Sequence, residues 1–138
     1  MIAFAGYALW PEADARRVAW QDLSSRVGRL TITRETKRVF RDGKALRDYV
    51  AAGGGQVPYV DFDRHQALLV SPGPRSSTGY ALEIVRVDER GGKVTVTVRE
   101  RAPEANDEVE PRTTFPYRLV TLPAGKDVYV NWPGRSPG

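Results

Sequence analysis

Tyr80-Ala81-Leu82-Glu83-Ile84-Val85-Arg86-Val87-Asp88-Glu89-Arg90-Gly91-Gly92-Lys93-Val94-Thr95-Val96-Thr97-Val98 is the stretch that decides the fold class. Val94, Val96 and Val98 alternate with Thr95 and Thr97, the period-two pattern of a strand with one buried face. Asp88–Lys93 reads as a hairpin turn that folds this strand back on the preceding one. In Tyr80–Val87 the apolar side chains change face after Ile84, which predicts a β-bulge or an edge buried on both sides.

Working outward, Gln66–Ser71 contains the unbroken apolar run Ala67-Leu68-Leu69-Val70, the mark of a buried strand. Leu68 and Val70 are expected to share a core with Val94, Val96 and Val98. Tyr117–Leu122 and Val128–Trp132 complete the C-terminal strands, and Thr36–Phe40 is a further candidate. One helix is predicted near residues 43–52. Asp42 is its N-cap, Leu46, Tyr49 and Val50 fall at i, i+3, i+4, and Gly53 is placed as a left-handed C-terminal cap. Arg17–Leu23 suits a strand or a loose helix. Strand is preferred, because Leu30-Thr31-Ile32-Thr33 then supplies a second one after Gly28. Short strands separated by Gly and Pro turns, with one helix, predict a mainly β fold, an antiparallel sandwich or open barrel.

At 138 residues the chain is the size of one domain. Residues 1–35 are read as a strand-rich N-terminal arm, 36–132 as the β domain and 133–138 as a disordered tail. The apolar start Met1–Trp10 is too short to span a bilayer and lacks the basic lead of a signal peptide. It reads as a strand or packed arm. Gly53-Gly54-Gly55 reads as a flexible connector. With no cysteine, disulfides, thiol nucleophiles and thiolate metal sites are excluded.

The chemistry-bearing patterns are thin. Asp61, Asp63 and His65 would share a face if extended, a His-plus-carboxylate set that could hold a divalent metal. No second histidine exists to support it, so they read as a polar strand entry. Glu104–Glu110 is acidic but lacks the central glycine of a calcium loop. Ser76, Ser77 and Thr78 have neither a Gly-x-Ser-x-Gly setting nor a nearby histidine. No catalytic residue, metal or cofactor is expected. The formal charge is +4, all of it in residues 1–60. There Arg16, Arg17, Arg26, Arg29, Arg34, Lys37, Arg38 and Arg41 lie near Trp10 and Trp20. That combination could hold single-stranded nucleic acid. Interleaved Glu12, Asp14, Asp22, Glu35 and Asp42 favour a mixed solvated face instead.

A family resemblance rests on Val60-Asp61-Phe62, Leu68-Leu69-Val70, Gly73-Pro74-Arg75-Ser76-Ser77-Thr78-Gly79-Tyr80-Ala81-Leu82-Glu83-Ile84, Arg99-Glu100-Arg101-Ala102-Pro103 and Thr114-Phe115-Pro116-Tyr117-Arg118-Leu119-Val120. In order and spacing these resemble the C-terminal domain of the PrcB family, named for a subunit of a bacterial surface protease complex. The family pattern runs Gly-x-Arg-Pro-Thr-Gly-Gly-Tyr-x-x-Glu-Ile, a hairpin, Glu-x-x-Pro, then Pro-Tyr-x-x-Val. This chain departs from it at Ser76, Ser77 and Thr78. The resemblance implies a non-catalytic, exported, protein-binding domain that accompanies a protease or envelope complex. Ser77-Thr78-Gly79-Tyr80 is also similar to a loop of chagasin-type protease inhibitors, which gives inhibition as an alternative. The expected partner-binding residues are Arg75, Ser76, Ser77, Thr78, Gly79 and Tyr80, with Phe115 and Tyr117 beside them. Arg and Tyr on a Pro- and Gly-stiffened loop suit an interface. A protein partner is expected, no membrane span, and nucleic acid only as the weaker alternative.

Overall fold

The computed structural model describes residues 15–134. Met1–Trp10, Glu12, Asp14 and tail residues 135–138 therefore lie outside the described residues. The central hairpin pairs Ala81–Arg90 with Lys93–Arg101, in register from Ala81↔Arg101 to Arg90↔Lys93. The turn is tighter than the sequence suggested: only Gly91 and Gly92 remain outside the strands, both at positive φ. A two-residue loop of that kind matches the strand twist and suits glycine. The register shifts between Ile84 and Arg86, so the expected bulge is present, and Val85 is turned outward to 50% exposure.

In chain order the elements are β1 (Arg16–Arg17), β2 (Gln21–Asp22), α1 (Ser24–Val27), β3 (Thr36–Phe40), α2 (Gly43–Ala52), β4 (His65–Ser71), β5 (Ala81–Arg90), β6 (Lys93–Arg101), β7 (Arg118–Pro123) and β8 (Asp127–Asn131). They form two four-stranded sheets, ordered β1-β5-β6-β8 and β2-β7-β4-β3. The mainly β class is borne out, in two open sheets with no closed barrel. One pairing departs from the antiparallel expectation: β6 and β8 run parallel. The chain crosses to the other sheet for β7 between them, and the two reversals, into β7 and out of it, bring β8 back in the direction of β6.

Three layers explain the burial pattern. Val94, Val96 and Val98 share one apolar cluster with Leu68, Val70, Val120 and Leu122, which fills the space between the sheets. Ala67, Leu69 and Leu119, on the opposite face of the second sheet, join Leu46 and Val50 of α2 in another cluster. The second sheet is thus covered on both sides, which is why β4 reads as a continuous apolar run rather than an alternating one. Among the described residues the first sheet is covered on one side, which is why β6 alternates.

Asp42 caps α2 as expected, its Oδ1 accepting the Ala45 N–H at 2.8 Å. Gly53 is right-handed (φ −84°), and the left-handed position falls one residue later, at Gly54. Gly53-Gly54-Gly55 is a packed junction rather than a flexible connector. A Cβ on Gly53 would lie 2.6 Å from Leu30 Cδ1, and one on Gly55 2.8 Å from Val27 Cγ1. These glycines allow close approach.

The N-terminal segment also differs. Leu30–Thr33 is not a strand: Leu30 and Ile32 are buried, but Thr31 N–H donates to Gly53 O and no ladder forms among the described residues. Arg17–Leu23 resolves into two-residue strands, one on each sheet, followed by α1, a single turn too short to show periodicity. Leu23, Val27, Leu30 and Ile32 belong to the same cluster as α2. No helix among the described residues is long and apolar enough to cross a membrane.

Candidate functional site

Two loops meet at one end of the molecule. Residues 72–80 leave β4 and enter β5; residues 102–117 leave β6 and enter β7. Each loop therefore joins one sheet to the other. Backbone bonds zip them together. Arg75 and Thr114 exchange both N–H···O bonds at 2.9 Å, and Thr78 N–H donates to Glu110 O at 3.0 Å. Side chains add to this: Glu110 N–H donates to Thr78 Oγ1, and Thr114 Oγ1 donates to Ser77 O. Ser71 Oγ donates to Pro116 O and accepts from Gly73 N–H.

Arg75 lies at the centre of this lobe. Its Nε and Nη2 donate to the two carboxylate oxygens of Glu100 at 2.6 and 2.8 Å, and Nη1 donates to Pro74 O. Both side chains are largely shielded, at 24% and 17% exposure. The guanidinium also lies 5.7 Å from the centre of the Tyr80 ring. The hydrogen bond to Glu100 raises the Arg75 pKa and desolvation opposes it, so the guanidinium stays charged. Arg75 thus braces the lobe instead of extending into solvent.

Gly79 has φ +99°, and a Cβ there would lie 2.9 Å from Pro103 Cβ. The tip of the first loop consequently rests against the start of the second. Tyr117 anchors the far side. Its hydroxyl is within hydrogen-bond reach of Ser24 O at 3.0 Å and Gly28 O at 2.5 Å, which ties the approach to β7 onto α1. Burial, then the nearby Asp22 carboxylate, push its pKa up to about 12.

Of the eight expected contact residues, seven lie in the zipped lobe and Tyr117 at its α1 side. Ser76 and Gly79 are exposed; Arg75, Ser77, Thr78, Tyr80, Phe115 and Tyr117 are half-buried. Glu100, Pro103, Glu110 and Thr114 complete the lobe and are not among the contact residues expected from the sequence. For Glu100 and Pro103 the available signal was their place in the Glu-x-x-Pro element.

The remaining candidates do not assemble. Asp61–His65 forms a turn in which Arg64 and His65 N–H groups both donate to Asp61 O, so Asp61, Asp63 and His65 do not share an extended face. No group of three or more His, Asp or Glu among the described residues could hold a metal. His65 and the Ser76–Thr78 loop lie at opposite ends of β4, a strand about 20 Å long at about 3.3 Å per residue. Glu104 and Asp107 close a turn on each other in an exposed loop.

Residues 67–123 match the family model described as PrcB C-terminal. The chain is PrcB-like over this stretch. The match begins in β4 and ends with β7, so it contains both loops and the Arg75–Glu100 pair. The resemblance carried by Gly73, Arg75, Gly79-Tyr80, Glu100, Pro103 and Pro116-Tyr117 is borne out, and most of these residues touch one another or the other loop. Neither the curated proteins nor the solved structures gave a match.

Proposed function

We propose that this PrcB-like domain is a non-catalytic protein-binding module that accompanies and modulates a protease complex outside the cytoplasm. The family match over residues 67–123 carries the reading, because it fits an accessory role in such a complex. The lobe supports it physically. Its loops are held by backbone pairing and a bidentate ion pair, so little ordering entropy is left to lose on association. Arg75, Tyr80 and Tyr117 hold the lobe in shape. Pro74, Ser76 and Gly79, with the exposed chain of residues 104–113, present its outer surface. Phe115, Ser77 and Thr78 border that surface.

The test is capture of protease-complex subunits by the full chain, compared with its Ser76→Arg variant. Ser76 is exposed, so the variant should melt like the wild type while capture drops. Unchanged capture would move the binding face away from the lobe, and no capture by the wild-type chain would refute the accessory role.

A further inference from the structure

The basic excess is concentrated in one segment. Residues 26–41 hold Arg26, Arg29, Arg34, Lys37, Arg38 and Arg41 against a single carboxylate, Glu35. That is a net charge of +5 in 16 residues, compared with +4 for the whole chain. All six cations are exposed, and none is in an ion pair among the described residues, whereas many arginines elsewhere are. The segment includes β3, the last strand of the second sheet. One backbone edge of β3 pairs with β4; the other pairs with no strand among the described residues.

Side chains alternate across this edge. Phe40 belongs to the helix-side cluster and Val39 packs against the cluster between the sheets. Arg38 shares the Phe40 side and lies 4.9 Å and 5.2 Å from the centres of the Phe40 and Tyr49 rings. Lys37 lies on the other side, 5.9 Å from the centre of the Trp132 ring. The open edge thus has a ring-supported cation above and below it.

We propose that the free edge of β3, from Arg34 to Arg41, docks an extended acidic segment of a partner protein, which adds to the second sheet as a fifth strand. Strand addition uses the unpaired backbone groups for affinity and the flanking side chains for selection. Here the selecting groups are cations, so the incoming strand must carry carboxylates. A second copy of the chain is disfavoured, because two β3 edges would bring like charges together. Nucleic acid is disfavoured because the nearby rings are occupied. Phe40 and Trp132 are buried, and Arg38 covers Phe40 and Tyr49, so none of these rings described beside β3 offers an open face for base stacking. The edge begins beside Gly73 of the first loop, where a Cβ would lie 3.0 Å from the Arg34 and Glu35 backbone, but its test does not involve a protease.

The experiment titrates the full chain into a fluorescein-labelled peptide of alternating Glu and Thr and follows anisotropy. Saturable binding is expected that weakens as salt rises and falls on the order of tenfold in Arg34→Gln/Lys37→Gln/Arg41→Gln, a variant that leaves Arg38 on its rings. Of two peptides N-methylated in alternate registers, one should lose binding, because a ladder needs the donors on one side only. No saturable binding, wild-type affinity in the triple variant, undiminished binding of both methylated peptides, or tighter binding of a single-stranded oligonucleotide of equal length would each overturn the proposal.

Discussion

Arg75 and Glu100, 25 positions apart, are joined by two N–H···O bonds of 2.6 and 2.8 Å. Arg75 lies in the loop leaving β4 of the second sheet, and Glu100 near the end of β6 in the first. The pair is therefore a clamp between the two sheets. Arg118 Nε provides another such link, donating from β7 to Leu82 O of β5 at 2.7 Å. Residues of the family pattern that look like surface contacts in the sequence thus hold two layers in place and position the loops above them.

Tyr117→Phe should cost about 1–2 kcal/mol, the range for a hydrogen-bonded hydroxyl removed from a partly buried site. Thermal or denaturant unfolding measures it. The phenol also sets a pH dependence. Its native pKa, about 12, lies above the ordinary value of 10, so its contribution is complete below about pH 10. Above that the unfolded chain loses the proton first, and the contribution disappears as pH rises through 12. The wild type should lose more stability than Tyr117→Phe over this window.

Gly79→Ala should destabilise the lobe by about 1–3 kcal/mol, because alanine is strained at φ +99° and its methyl would press on Pro103. Hydrogen exchange should localise the loss to residues 72–80 and 102–117. Uniform loosening of both sheets would contradict a loop-level role.

Val96→Asp should cost about 3 kcal/mol or more by placing an unpaired charge between the sheets, where Val96 is fully buried. A wild-type melting curve would mean that the register of β6 is wrong.

Much of the fold is legible from local pattern. Val94/Val96/Val98, the run Ala67–Val70, the face change after Ile84 and the Asp42 cap each report a strand, a two-sided burial, a bulge or a helix start through neighbouring residues alone. What was not legible depends on distant packing. Leu30 and Ile32 alternate like a strand but fill the α2 side of the core, where no partner strand runs among the described residues. Gly53 and Gly55 look like a hinge, yet their missing side chains admit Leu30 and Val27. At the lobe, the position of Arg75 in a stiff loop was visible, but Glu100 as its partner was not. Charge and spacing alone cannot choose one carboxylate across 25 residues.

A double-mutant cycle of Arg75→Ala and Glu100→Ala, read by denaturant unfolding, tests the clamp most directly. Each single variant should remove both N–H···O bonds of the pair and leave the other charged side chain partly shielded, while the double variant removes both charges. A coupling energy of about 1–3 kcal/mol is expected. Additive effects, with Arg75→Ala alone as stable as the wild type, would contradict the clamp and restore Arg75 as a free surface contact.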